Sequence, residues 1–387
     1  MTRFLLISLL LAMASSRAFA GEHEDTLRLR ELFNVTMFQG GSKDSVVRTR
    51  HEKTFFHRVG KVFTNFFQEF NRIDTNYIEP QHYNYTLMLQ NTYSYEVYRL
   101  SSKDGESVTF APEITCRLGP YVGWRWVFLG YTIDLKHISF GSSHSSKKEF
   151  DLSLYSSLLG VDFFWRKTGN DYKIRSMRIG EDYDTSPMKG VDFGGIESMI
   201  RGANFYYIFN HRKFSYPAAY SQSTCQRMSA GSALAGIGYT RHSLKVDWQQ
   251  LATSVEERMG ADAAQQLLDA MSFDRVEYID FSFSGGYSYN WVFVKDWLLN
   301  ASLMGALGYK QSKSESYAEY LPFSDFNVKN FNIDAIGRFA LVWNNTKWYA
   351  GLSAIFHSYN YSKQQFSTNN YFGNVNLYVG FNFGKRR

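Results

Sequence analysis

The sequence predicts an all-β protein, a transmembrane antiparallel β-barrel of about twelve strands behind an N-terminal amphipathic helix. Three observations carry that expectation. From residue 82 onward, apolar and polar residues alternate with period two over segments longer than the ~5–6 residues of an ordinary strand. The polar members are mostly Asn, Ser, Thr, Gly and Tyr, whereas a solvated sheet face would be rich in Lys and Glu. The links between segments alternate between short and long, as the two rims of a bacterial outer-membrane barrel require.

The chain divides into three regions. Residues 1–20, MTRFLLISLLLAMASSRAFA, have a basic start at Arg3, an apolar stretch too short to span a membrane, and the small-x-small ending Ala18-Phe19-Ala20. They read as a cleavable secretory signal. Residues 21–81 form an N-terminal periplasmic segment. Within it, KTFFHRVGKVFTNFFQEF (53–70) places Phe55, Phe56, Val59, Phe63, Phe66, Phe67 and Phe70 at helical spacing. The expected amphipathic helix packs on the rest of the protein, with a membrane-surface helix as the other reading. Residues 82–387 are the barrel. No run of eighteen apolar residues follows the leader, so a membrane crossing would have to be made by strands.

The strands justify themselves in turn. In YNYTLMLQNTYSYEVYRL (83–100), Tyr83, Tyr85, Leu87, Leu89, Tyr93, Tyr95 and Val97 alternate with Asn84, Thr86, Gln90, Thr92, Ser94 and Glu96. EYIDFSFSGGYSYN (277–290), WLLNASLMGALGYK (297–310) and NFNIDAIGRFALVW (330–343) repeat the pattern, and further segments lie near 107–118, 121–135, 149–166, 171–180, 198–210, 227–242, 348–362 and 369–383. In the last, Val375, Leu377, Val379, Phe381 and Phe383 would face acyl chains while Asn374, Asn376 and Asn382 face the lumen. That strand is expected to close the barrel against the one starting at Tyr83. Tyr and Trp gather at strand ends, at Tyr83 and Tyr85, Tyr287 to Trp291, and Trp343 and Trp348, where an aromatic girdle would sit.

Short links are expected at Gly119-Pro120, 168–171, 291–296 and 344–347, on the periplasmic rim; long ones fall at 136–148, 180–197, 243–273, 312–328 and 362–369. Residues 101–106 are short where a long loop belongs, and HRKFSYPAAYSQSTCQ (211–226) is long where a short turn belongs. The latter either folds into the barrel mouth or marks a miscount of strands by two. DAAQQLLDAM (262–271) reads as a short surface helix.

Composition narrows the function classes. Aromatics make up 18% of the 387 residues and only 6 are Pro, which excludes disorder. The formal charge of +6 is scattered, with no nucleic-acid footprint. The two cysteines, Cys116 and Cys225, are too few for a disulfide scaffold. His23, His51, His57, His82, His144, His211, His242 and His357 show no metal-ligand spacing, and no phosphate-cradling loop occurs, so neither metal nor cofactor is expected.

Two sets of residues are candidates for function. Glu96, Asp280, Lys310, Asp334 and Arg338 lie on the polar parity of four strands, where they would form a lumenal salt-bridge network or a solute-selective constriction. His137 and Ser139, in KHISFGSSHSS, are two apart and share the apolar parity, near the outer rim. Their arrangement is similar to the His-x-Ser of outer-membrane phospholipases and lipid A deacylases, in which the histidine activates the serine. Phe140 stands where that motif has Asn, and no third group to orient the histidine is identifiable.

Four segments, DTNYIEPQHYNYTLML (74–89), SLYSSLLGVDFFWRKTGNDYKIR (153–175), FSYPAAYSQSTCQRMSAGSALAGIGYTRHS (214–243) and GYSYNWVFVKDWLLNASL (286–303), together resemble a family of exported Bacteroidota proteins known as domain of unknown function 4421. The resemblance spans about residues 70–383 and implies a Gram-negative outer-membrane barrel, with no catalytic residue or ligand attached to it. Phe383 is followed by GKRR, which displaces the terminal aromatic of many outer-membrane barrels. The expected role is that of a structural or solute-passing, porin-like barrel. Its partners would be outer-membrane lipid, the barrel-assembly machinery during biogenesis and a small solute in the lumen. The alternative is a lipid acyl hydrolase using His137 and Ser139.

Overall fold

The computed structural model describes residues 72–124, 127–130, 133–134, 148–167, 171–180, 183–271, 275–312, 330–362 and 366–385. The expected leader (1–20), the expected amphipathic helix within 53–70 and the pair His137 and Ser139 lie outside the described residues.

Alternation becomes strand along most of the described chain. The strands are β1 (Ile78–Pro80), β2 (Tyr83–Ser102), β3 (Ser107–Pro112), β4 (Thr115–Trp124), β5 (Val127–Gly130), β6 (Ile133–Asp134), β7 (Lys148–Tyr155), β8 (Leu159–Lys167) and β9 (Tyr172–Arg178). They continue with β10 (Ile196–Ile208), β11 (Thr224–Gln226), β12 (Ala230–Val246), β13 (Arg275–Val294), β14 (Trp297–Ser312), β15 (Phe331–Asn344), β16 (Trp348–Ser362) and β17 (Phe366–Lys385). Helices α1 (Tyr216–Tyr220), α2 (Trp248–Met259) and α3 (Ala261–Met271) interrupt them.

One antiparallel sheet carries the fold, in the order β5, β4, β2, β17, β16, β15, β14, β13, β12, β10, β8, β7. The C-terminal strand pairs with the first long one as expected, with Phe383 opposite Tyr85 and Tyr371 opposite Val97. No ladder joins β5 or β6 to β7 among the described residues. The sheet nevertheless curls onto itself. Arg338 on β15 reaches the Asp162 carboxylate on β8, although four strands lie between them in the sheet. Tyr98 on β2 meets the Ser198 hydroxyl on β10 at 2.6 Å.

Among the described residues twelve strands stand side by side, but several of the expected assignments are corrected. Residues 149–166 are two strands, β7 and β8, separated by a hairpin at 156–158. That hairpin has no Gly, Pro or Asn: the Ser156 hydroxyl accepts from the Leu159 amide and donates to the Leu159 carbonyl, both at 2.9 Å, a side-chain turn that composition flags only by its Ser-Ser pair. Residues 171–180 contribute no wall strand, since among the described residues β9 pairs with β3 alone; residues 168–170 of the expected short link lie outside the described residues. Gly119-Pro120 is no turn, because Pro120 sits inside β4 opposite Leu89. The segment 107–118 is divided at residues 113–114 into β3 and β4, which pair with successive stretches of β2.

The polarity of the sheet is inverted relative to a soluble protein. Phe283, Ile333 and Leu303 are 76%, 72% and 67% exposed, whereas Lys310, Asp280 and Arg338 are 1%, 1% and 3% exposed. In water each such outward apolar side chain would forgo roughly 1.5–3 kcal/mol of burial. Aromatic residues ring the rim that carries the tight hairpins: Tyr85, Trp124, Trp291, Trp297, Trp348 and Phe383 are all exposed there.

Both ends of the rolled sheet are covered from within the chain. At the hairpin rim, residues 209–229 turn inward; Ser215 caps α1 by accepting from the Ala218 amide, and Pro217 starts the helix. At the opposite rim, α2 and α3 with β3 and β9 enclose an apolar cluster that includes Leu100, Val108, Phe110, Ile174, Phe193, Leu251 and Leu267. The expected surface helix is thus the second of two, and its Ala263, Ala264, Leu267 and Met271 are buried. Helix α2 was equally legible, since Trp248, Leu251, Ala252 and Val255 fall at helical spacing behind the Asp247 cap.

Candidate functional site

Side chains of the inward parity fill the interior in successive layers. Nearest the α2–α3 end, Glu96 accepts from the hydroxyls of Tyr98 (2.8 Å) and Tyr172 (3.0 Å), so it ties β2 to β9 and joins no basic residue there. His242 stacks on Tyr98, with ring centroids 6.0 Å apart, and its Nε2 lies 3.3 Å from the Ser198 hydroxyl.

The next layer contains Lys310, whose ammonium donates to Asp334 Oδ1 at 2.8 Å and to the Asn360 carbonyl at 2.5 Å. Asp280 is its direct cross-strand partner. The rings of Tyr278 and Tyr359 lie 5.7 Å from the same ammonium, so a fully enclosed cation is compensated by the Asp334 carboxylate and two aromatic faces, with Asp280 across the strand pair. The structure therefore brings together Asp280, Lys310 and Asp334.

Arg338 belongs to a third layer. It pairs with Asp162, lies 5.0 Å above the Tyr206 ring and contacts the Met304 sulfur. Arg166 lies 4.6 Å above Phe372, on which His357 stacks at 4.8 Å. Neither Asp162 nor Arg166 is among the sequence candidates, and the reason is the unrecognised hairpin. Even-numbered residues point outward on β7 (Phe150, Leu152), whereas odd-numbered ones do so on β8 (Phe163, Trp165). On one continuous strand, Asp162 would have fallen on the greasy face. Two charged residues in even register on β8 (Asp162, Arg166) against Phe163 and Trp165 were the available signal.

The inserted segment makes the last layer. The Tyr220 hydroxyl donates to Asn300 Oδ1 (2.6 Å), the Tyr216 hydroxyl meets Ser302 Oγ (2.5 Å), and both rings pack on Tyr155. Gln222 donates to the Tyr378 hydroxyl (3.0 Å) and accepts from Asn344 (3.1 Å). Of the two readings open for 211–226, folding into the mouth is the one observed. A pocket of about 10 Å³ beside Gln222 and Tyr349 has room for roughly one water.

A latch holds this plug at the rim. β1 pairs with β11, and Arg227 binds both Glu79 of β1 and Asp296 of the β13–β14 hairpin. Burial pushes the Glu79 carboxyl upward, but hydrogen bonds from His82 and Arg227 outweigh it and hold the group below its ordinary range. Burial pushes the Cys225 thiol up to about 12. Cys116 and Cys225 are both free. Among the described residues there is no cluster of His, Cys, Asp and Glu suited to a metal.

A rolled antiparallel sheet with a polar, filled interior and an apolar exterior is the class of protein these features define. The chain belongs to the family described as Domain of unknown function (DUF4421), which it matches over residues 72–383. It is similar to the outer-membrane protease OmpT of Escherichia coli at 8% identity, over 81% of this chain and all of that one, with a TM-score of 0.29. It is also similar to the toluene transporter TodX of P. putida (8% identity, 78% and 91% of the two chains, TM-score 0.24) and to the translocator domain of the autotransporter NalP of Neisseria meningitidis (9%, 86% and 96%, 0.28). At these scores the likenesses decide nothing about activity. Among curated proteins none matches the chain.

Proposed function

We propose that this chain is an exported, twelve-stranded outer-membrane β-barrel of structural type, whose interior is occupied by its own side chains. The observation that carries the reading is the inverted polarity: charged residues enclosed at the centre, and a continuous outer band of Phe, Leu, Ile and Val. In lipid that band has the solvent it needs, and a sheet closed between β5–β6 and β7 would satisfy its backbone hydrogen bonds along the ladders. The tight-hairpin rim, where β2 begins and β17 ends, would face the periplasm and carry the latch and plug. The rim of α2 and α3 would face outward. Outer-membrane lipid and the assembly machinery are the partners this placement calls for. The layered interior favours a closed barrel over a solute-passing one.

Fractionation with gel analysis of heated and unheated samples tests the placement. The expected result is recovery in the outer-membrane fraction, with an unheated form that migrates faster than the boiled one. Recovery of folded protein from the periplasm without detergent would overturn it. Planar-bilayer recording tests the closure: the full chain is expected to give no conductance steps, and steady ohmic steps would overturn the filled interior.

A further inference from the structure

On the outward face, four neighbouring strands change character near the α2–α3 rim, within about one outward step of one another: Arg201 and Arg241 are level with Trp165 and Ile279. Along β12, Ile237 and Tyr239 give way to Arg241, Ser243 and Lys245; along β13, Phe283, Phe281 and Ile279 give way to Glu277 and Arg275. Along β10, Phe205 leads to Arg201, and along β8, Phe163 and Trp165 lead to Lys167. On β8, β12 and β13 the switch takes one outward step, roughly 7 Å; on β10 Ala203 stands between Phe205 and Arg201, and Met199 follows. Above it lies a cleft of about 240 Å³ lined by Lys167, Arg201, Arg241, Lys245 and Arg275, with Met199 beside them.

The charges of the cleft are poorly balanced. Five cations face two carboxylates, Glu197 and Glu277, an excess of three positive charges. Arg201 is the direct cross-strand partner of Arg241, and Lys245, which has Glu197 on its other side, of Arg275. Like charges placed directly opposite one another on a sheet destabilise it. Glu277 lies 3.6 Å from Arg241 and 3.2 Å from Arg275. Among the described residues, Lys167, Arg201 and Lys245 make no ion pair. Two like-charged pairs on one open face are what a multivalent anion seated between them would offset, and the guanidinium fork suits phosphate oxygens.

We infer that this cleft binds the phosphate-bearing headgroup of an outer-leaflet lipid, whose acyl chains run down the apolar band over Tyr239, Phe281, Ile237 and Phe283. The inference rests on the outer-membrane reading. A free phosphate ion would gain nothing from the contiguous greasy surface; a lipid uses both halves.

The test uses the full chain in detergent micelles doped with diphosphoryl lipid A, with its dephosphorylated form, or with inorganic phosphate. Wild type is expected to bind the diphosphoryl lipid and not the dephosphorylated one. The variant R201Q/R241Q/R275Q should bind it on the order of 100-fold more weakly, at roughly fivefold for each charge near an anionic headgroup. R201K/R241K/R275K keeps the charges and should lose far less, which separates charge from misfolding. Heat-modifiable migration is recorded on every sample. A wild type that migrates as a folded barrel but ignores the phosphorylated lipid, or a glutamine variant that binds as tightly as wild type, would overturn the site while leaving the barrel intact. Displacement of the lipid by millimolar inorganic phosphate would make it a free-anion site and overturn the lipid assignment. Folded protein that needs no detergent would overturn the membrane reading itself.

Discussion

The contact between Arg338 and Asp162 exists only if the sheet rolls far enough to bring β15 across to β8, so a double-mutant cycle on that pair measures the curvature directly. Arg338→Met leaves the Asp162 carboxylate enclosed without its counter-charge; Asp162→Asn leaves the guanidinium enclosed, softened by the Tyr206 ring 5.0 Å away. Breaking one side of a buried ion pair costs about 3–5 kcal/mol, whereas replacing both partners is far less damaging. Each single variant should therefore lower the folded-to-unfolded ratio by roughly 10²- to 10⁴-fold, Asp162→Asn by the smaller amount. The double variant should cost no more than the worse single, a coupling of roughly 2 kcal/mol or more. Urea unfolding of lipid-reconstituted protein, followed by the fluorescence of its 8 tryptophans, supplies the four stabilities. Additivity of the two substitutions within about 0.5 kcal/mol would mean that the residues do not meet, and would refute the rolled sheet.

Two further outcomes test the interior and the plug. Gly380 lies opposite Tyr349, and a Cβ there would run into the Tyr349 ring, whose hydroxyl meets Thr86 Oγ1 at 2.8 Å. Gly380→Val is expected to destabilise by about 1–3 kcal/mol in the same unfolding assay, while Gly305→Ala, with open space around its Cβ, should change it by less than about 0.5 kcal/mol. In a Cys116→Ala background, the Cys225 thiol, buried and held at about 12, should resist maleimide at pH 8 until urea releases the plug. Prompt labelling of the folded protein would place β11 elsewhere.

Much of the site was legible because inward and outward faces are written into parity. Asp280, Lys310, Asp334 and Arg338 could be assigned inward from their neighbours on the strand, and all four are buried. Asp162 could not, because parity is meaningful only between turns, and the Ser156 turn resets it with a Ser-Ser pair as its one signal, weaker than Gly, Pro or Asn. Partnership was not legible at all. Nothing along the chain pairs Arg338 with a residue 176 positions away, or separates Glu96 from the other charges and gives it to two tyrosine hydroxyls.

The sequence by itself determined the all-β class, the long strands, the pairing of the last strand with the first long one, and which face of most strands is greasy. Those are local or nearest-neighbour properties, set by a two-residue period and by the residues that flank it. Tertiary structure alone decided that 211–226 folds into the mouth, that β9 leaves the wall to pair with β3, and which charges share a layer. Such choices depend on contacts across the interior, between segments whose spacing along the chain has no bearing on their distance in space.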